Sequence, residues 1–207
     1  MLDIDIDMPT DSHEYHILKN ATIAIKNVKG MTCELGVRRG GGTKTIIDAL
    51  IDNDDLYRHH ICVDPYGNIE YNDGNAVTRY DYTNDMKNDC LLQLYNYCHS
   101  KPINLHFFVL EDTEFFKRYS DGIPVYNVHK YLLDKYALVH FDGPHDSLSI
   151  NKEVFFFKDK CNIGSIFVFD DLDNYKHDLT VEPNILKSGF EIFEKGNNKA
   201  SYIKVKL

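Results

Sequence analysis

In the stretch LVHFDGPH, residues 138–145, an apolar run breaks into an acid and an imidazole three positions apart, Asp142 and His145. Imidazole titrates near neutrality, so a histidine fixed beside a substrate can take a proton at working pH. Further on, FVFDD sets two carboxylates, Asp170 and Asp171, behind a second apolar run. Acids at the ends of two neighbouring strands would make an oxygen-rich site for a hard cation such as Mg²⁺, with Asp142, Asp170 and Asp171 as ligands. Three other apolar runs end in the same way. The first ends in Glu34, Gly36 and the glycine-rich VRRGGGT, the second in Asp64, and the third in Glu111 and Asp112. Turns favour aspartate, so a single such acid would mean little. Five runs in succession mark one edge of the molecule as the place where a ligand binds.

The elements that must hold these residues alternate between strand and helix, the pattern of an α/β fold on a mostly parallel sheet. Asp11 with Glu14 predicts a capped start to a helix over 13–29, ended by Gly30. MTCELG is a first strand and KTIIDALIDN, 44–53, a helix after the glycine loop. HHICVDPY supplies a second strand, and 67–84 is a long polar insertion of the length that usually serves a function. A helix over 85–100, a third strand at 103–110, a short helix at 113–120, and strands at 136–141 and 164–171 follow. The tail, 189–207, has two strand-like runs around KGNN, which predicts a hairpin. In open α/β sheets ligands bind beyond the carboxyl ends of the strands, where strand order reverses. The glycine segment fits neither G-x-x-x-x-G-K-[ST] nor G-x-G-x-x-G. A strand nevertheless precedes it and a helix follows, and Asp64, at the end of the next strand, is placed to accept both hydroxyls of a ribose.

Composition bounds the rest. The chain has 207 residues, 43% hydrophobic and 27% charged, enough for one domain, 1–207, with an acidic segment at 1–12. A formal charge of −9 argues against a nucleic-acid partner. The five cysteines show no C-x-x-C spacing and read as buried, reduced thiols of a cytoplasmic protein. No apolar run is long enough for a membrane span. His59 and His60 lack zinc spacing. A homo-oligomer is allowed but not indicated.

The segments CELGVRRGGGT, VDPY, FDGPH and GSIFVFDD, in this order, resemble the class I S-adenosylmethionine-dependent methyltransferases, and more narrowly the metal-dependent O-methyltransferases of the macrolide- and sugar-modifying type. The likeness runs from about residue 20 to 207. It implies a Rossmann-like fold: a seven-stranded, mostly parallel sheet closed by a C-terminal antiparallel hairpin. It also implies S-adenosylmethionine as cofactor, its methionine end among Glu34, Gly36, Gly40, Gly41, Thr43 and Asp142, its ribose on Asp64 and its adenine near Glu111 or Asp112. Mg²⁺ on Asp142, Asp170 and Asp171 would chelate the acceptor, a small molecule or sugar, and His145 would take the hydroxyl proton. The competing expectations are a metal-independent or N-directed methyltransferase and a cofactor-binding protein without turnover.

Overall fold

The computed structural model describes residue 8 and residues 12–67, 69–72, 78–99 and 101–206. In chain order the elements are α1 (Tyr15–Ala24), β1 (Met31–Leu35), α2 (Gly41–Asp52), β2 (His59–Val63), β3 (Ile69–Asn72), β4 (Thr78–Tyr82), α3 (Asn84–His99), β5 (Asn104–Phe108) and α4 (Asp112–Arg118). Then come β6 (Ile123–Tyr126), β7 (Lys130–Leu133), β8 (Tyr136–Phe141), α5 (Ser147–Phe157), a 3₁₀ turn, β9 (Cys161–Phe169), α6 (His177–Thr180), α7 (Glu182–Lys187), β10 (Phe190–Lys195) and β11 (Ala200–Lys204).

Seven of the strands form one sheet in the order β10-β11-β9-β8-β1-β2-β5. Every neighbouring pair is parallel except β10 with β11 and β11 with β9. From β1 the chain steps outward through β2 to β5, then returns to lay β8 on the other side of β1. Strand order thus reverses between β1 and β8, the expected position for a ligand crevice.

Both faces of the central strands are covered, so every residue of β1 and β8 is buried, Thr32, Glu34 and His140 included. On one face Cys33, Leu35, Val139, Phe141, Phe167 and Phe169 pack against Phe115 of α4, Ile150, Val154 and Phe157 of α5, and Ile185 of α7. On the other, Leu138, Ile166 and Val168 meet Ile17, Leu18 and Ala21 of α1, Ile46, Ile47 and Leu50 of α2, and Tyr97 of α3. Phe141 and Phe169, side by side on β8 and β9, stack with ring centroids 4.4 Å apart. All five cysteines are free and buried.

The fold agrees with expectation in the strands and departs from it in the connections. α1 is shorter than 13–29, and Gly30, at φ 131°, serves instead as the tight entry to β1, pressed against the backbone of residues 135–137. Glu14 does not cap α1 with its side chain. Asp11, its expected partner, lies outside the described residues. α2 begins at Gly41, three residues earlier than its apolar pattern suggests, because glycines supply its first turn. The insertion at 67–84 contains the antiparallel pair β3–β4; residues 68 and 73–77 of it are outside the described residues. A second hairpin, β6–β7, turns on Asn127, whose side chain accepts from Val128 N at 2.9 Å. No helix among the described residues is long and apolar enough to cross a membrane.

Candidate active site

At the carboxyl edge the hydrogen-bond ladder continues one residue past the strands. Gly36 N donates to Val63 O (3.0 Å), Asp142 N to Leu35 O (2.9 Å), Asp64 N to Phe108 O (3.1 Å) and Asp170 N to Phe141 O (3.1 Å). The expected strand-end acids are therefore level with one another along the crevice. Gly36, at φ 79°, lies hard against the end of β8: a Cβ there would strike the backbone of Asp142 and Gly143. Beyond it, residues 37–40 fold back over Asp64. The Asp64 Oδ2 accepts from Val37 N (2.8 Å) and Arg38 N (2.9 Å), and Oδ1 from Tyr66 N (3.1 Å). Burial raises the Asp64 carboxyl to about 6, and these three bonds oppose the shift. At 0% exposure it holds the loop down and presents no open face to a ribose. Gly40, in the left-handed region, precedes α2 with no side-chain cap and is buried, where a Cβ would meet Met8, Cys90 and Leu94.

Glu34 lies beneath the loop, 1% exposed. Thr43 Oγ1 donates to its Oε2, and His140 Nδ1 sits 2.9 Å from its Oε1. Gly42 makes the room, since a Cβ there would overlap the Glu34 carboxylate. His60 extends the chain, with Nδ1 2.8 Å from Thr32 Oγ1 and Nε2 3.3 Å from Thr43 Oγ1. Burial raises Glu34 to about 7, against the Thr43 hydrogen bond, and lowers His60 to about 4 and His140 to about 3. Glu34 and Thr43, expected at the cofactor, are here the internal support of the glycine loop.

Across the crevice His145 Nε2 is 3.3 Å from Asp171 Oδ2. Ligand atoms of Asp142, His145 and Asp171 converge within 4.8 Å of one another, and a second convergence joins Glu34, His140 and Asp142. Burial drives the Asp142 carboxyl well above its usual range, with the charge of Asp170 adding to the effect and that of Lys199 opposing it. Asp170 is turned elsewhere. Its Oδ2 takes the ammonium of Lys199 and the hydroxyl of Ser12, and its Oδ1 accepts from Asp171 N at 2.9 Å. Glu111 is exposed, and Asp112 partly buried, at the start of α4 beyond β5, two strands from β1. Burial raises the Asp112 carboxyl.

The expected Mg²⁺ trio therefore does not fit as a ligand set. Asp170 is 2% exposed and both of its oxygens are engaged. His145 occupies the third corner beside Asp142 and Asp171, and an imidazole suits softer cations than Mg²⁺. The residues that sequence reasoning missed are Ser12, Glu14, His140, Asn198 and Lys199. The Glu14 carboxylate accepts three successive backbone N–H groups, of Asn197, Asn198 and Lys199, at 2.9–3.0 Å, and the absence of a side chain at Gly196 leaves it the space. Asn198 Nδ2 in turn donates to Asp171 Oδ1 at 3.0 Å. A separate cavity of about 510 Å³ opens at the opposite edge of the sheet, near Lys29 and Arg58. Arg58 there is committed to Asp55 and to backbone carbonyls behind α1, and none of the expected site residues lines it.

Solved structures share this architecture. The O-methyltransferase NovP superposes with a TM-score of 0.61 at 17% identity, over 91% of this chain and 79% of its own. CalS11, a TDP-rhamnose 3'-O-methyltransferase of calicheamicin biosynthesis, gives 0.58 at 14%, over 91% and 77%. An rRNA methylase from Streptococcus thermophilus gives 0.56 at 8%, over 96% and 100%. The fold is that of the Rossmann-like methyltransferases. Other O-methyltransferases of this fold, at 8–10% identity, were solved with S-adenosylmethionine or S-adenosylhomocysteine bound. No protein-family model matches the chain, and no curated protein does. The β1–β8 crevice is the switch point of the sheet, and the glycine loop and Asp142 border it.

Proposed function

We propose that the protein is an S-adenosylmethionine-dependent O-methyltransferase that methylates a hydroxyl of a small molecule or sugar. The observation that carries this reading is the meeting of Asp142, His145 and Asp171 at the switch point, with the Asp142 backbone pressed against Gly36 at the end of β1. The α2 start would receive the carboxylate of the cofactor's methionine end. Glu111 and Asp112, beyond β5, are the candidates for the adenine end. Asp64 reaches a ribose only if residues 37–39 lift off its carboxylate. Bound S-adenosylmethionine supplies a methyl group already activated on a sulfonium, so alignment contributes most of the rate. His145 supplies the base. With Nε2 turned to Asp171, its proton-accepting lone pair is at Nδ1. Nδ1 takes the hydroxyl proton as the oxygen bonds the methyl carbon and the carbon–sulfur bond breaks, and Asp171 balances the imidazolium that results. The rRNA methylase shows that this fold also serves polyanionic acceptors, but a net charge of −9 favours a small neutral or cationic one.

Calorimetric titration with S-adenosylmethionine and S-adenosylhomocysteine tests the reading without knowledge of the acceptor. Both should bind one per chain, and the Gly40-to-Thr43 turn should gain protection from amide exchange. No binding of either at millimolar concentration would remove the proposal.

A further inference from the structure

We infer that Lys199 is the resident cation of this site, and that its ammonium holds the position at Asp170 that a divalent ion would otherwise take. The inference deepens the methyltransferase reading, since it concerns the cation that the resemblance brings with it. Lys199 precedes β11 and is 0% exposed, as few lysines are. Its Nζ meets Asp170 Oδ2, lies 3.1 Å from Ser12 Oγ, and stands 5.3 Å from the Tyr15 ring centre. A buried ammonium persists only where it is paired and hydrogen-bonded, and each of these contacts meets that demand.

The surrounding turn is built to hold it there. The Glu14 carboxylate binds the N–H groups of Asn197, Asn198 and Lys199, which fixes the backbone from which the ammonium projects. From the same turn Asn198 holds Asp171 Oδ1. The charge of Lys199 also reaches deeper: it opposes the burial-driven rise of Asp142 and Glu34 and adds to the fall of His140. A second cation placed between Asp142, Asp170 and Asp171 would meet the ammonium, already bound to Asp170, at close range. Asp170 would have to release an ammonium that is 0% exposed, and Ser12 would lose its contact with that ammonium at the same time.

The test reads metal binding rather than methyl transfer, so it separates failure of this inference from failure of the enzymatic reading. Mn²⁺ uptake is followed by the electron paramagnetic signal of the free ion, and Mg²⁺ by its effect on thermal unfolding. The wild-type protein should leave about 1 mM Mn²⁺ free and show no shift with Mg²⁺, whereas Lys199→Met frees Asp170 and should bind Mn²⁺ at least about tenfold more tightly, with Mg²⁺ raising its Tm. Asp170→Asn combined with Lys199→Met should lose that gain. One Mn²⁺ per wild-type chain would overturn the inference, as would a folded Lys199→Met with no gain. Should Lys199→Met fail to fold, the wild-type titration decides alone: one ion bound refutes it, none upholds it.

Discussion

His145 can serve as a base only through the nitrogen that Asp171 leaves free, so the two residues should fail in different ways. On the proposed mechanism His145→Gln removes the proton acceptor and should lower the maximal rate of methyl transfer by about 10²–10⁴-fold, the usual worth of positioned proton transfer, while cofactor affinity stays unchanged. Its rate should recover in part as pH rises, because a more ionised acceptor needs no base. Asp171→Asn keeps the imidazole but loses the group that orients it, so its loss should be smaller and should not recover with pH. Rate against pH for the wild type and both variants decides between a base and a surface histidine. Superimposable profiles would leave His145 with no part in the chemistry.

The crevice depends on how closely β1 and β8 approach, and Gly36 sets that distance. Gly36→Ala must adopt a left-handed backbone, which costs roughly 1–2 kcal/mol by itself, and must also displace the carbonyl of Asp142. We expect a lower denaturation midpoint and weakened S-adenosylmethionine binding together; a variant as stable as wild type would mean that the strand ends part freely. The sheet itself was legible because β8 and the second half of β9, YALVHF and SIFVF, are fully buried and mostly apolar. The β6–β7 hairpin went unread, since IPVY and KYLL are short and much of their side-chain surface is exposed. The acids at the strand ends were legible as an edge, but their individual tasks were not. Asp64 and Asp142 differ in what the chain folds over them. The partners of Asp170 and of the 197–199 turn come from 29 and more than 180 positions away, so no local pattern could announce Lys199 or Glu14.

Over the whole molecule, the interior holds titratable groups on both sides of neutrality, and their linkage to folding has opposite signs. His60, His140 and His177 have folded values of about 4, 3 and 4, all lowered chiefly by burial. The unfolded chain takes up their protons first, so the stability they contribute is whole above about pH 6.5 and is lost as pH falls toward those values. Glu153 acts in the other direction. It is 0% exposed on α5, neither carboxylate oxygen has a hydrogen-bond partner among the described residues, and burial, with the charges of Asp112 and Asp146, raises it well above 4.5. Its contribution is whole below about pH 4.5 and falls as pH rises toward its folded value, by about 1.4 kcal/mol for each pH unit between the two. Glu153→Gln keeps the shape and removes the titration. The variant's advantage in unfolding free energy over wild type should therefore grow with pH above about 4.5, then level off once the folded-state carboxyl has ionised. Denaturant titrations of both proteins from pH 4 to 9 measure that difference directly. A difference that stays constant across the range would mean that Glu153 is already ionised in the folded protein, held by a partner such as water that the burial of its carboxylate conceals.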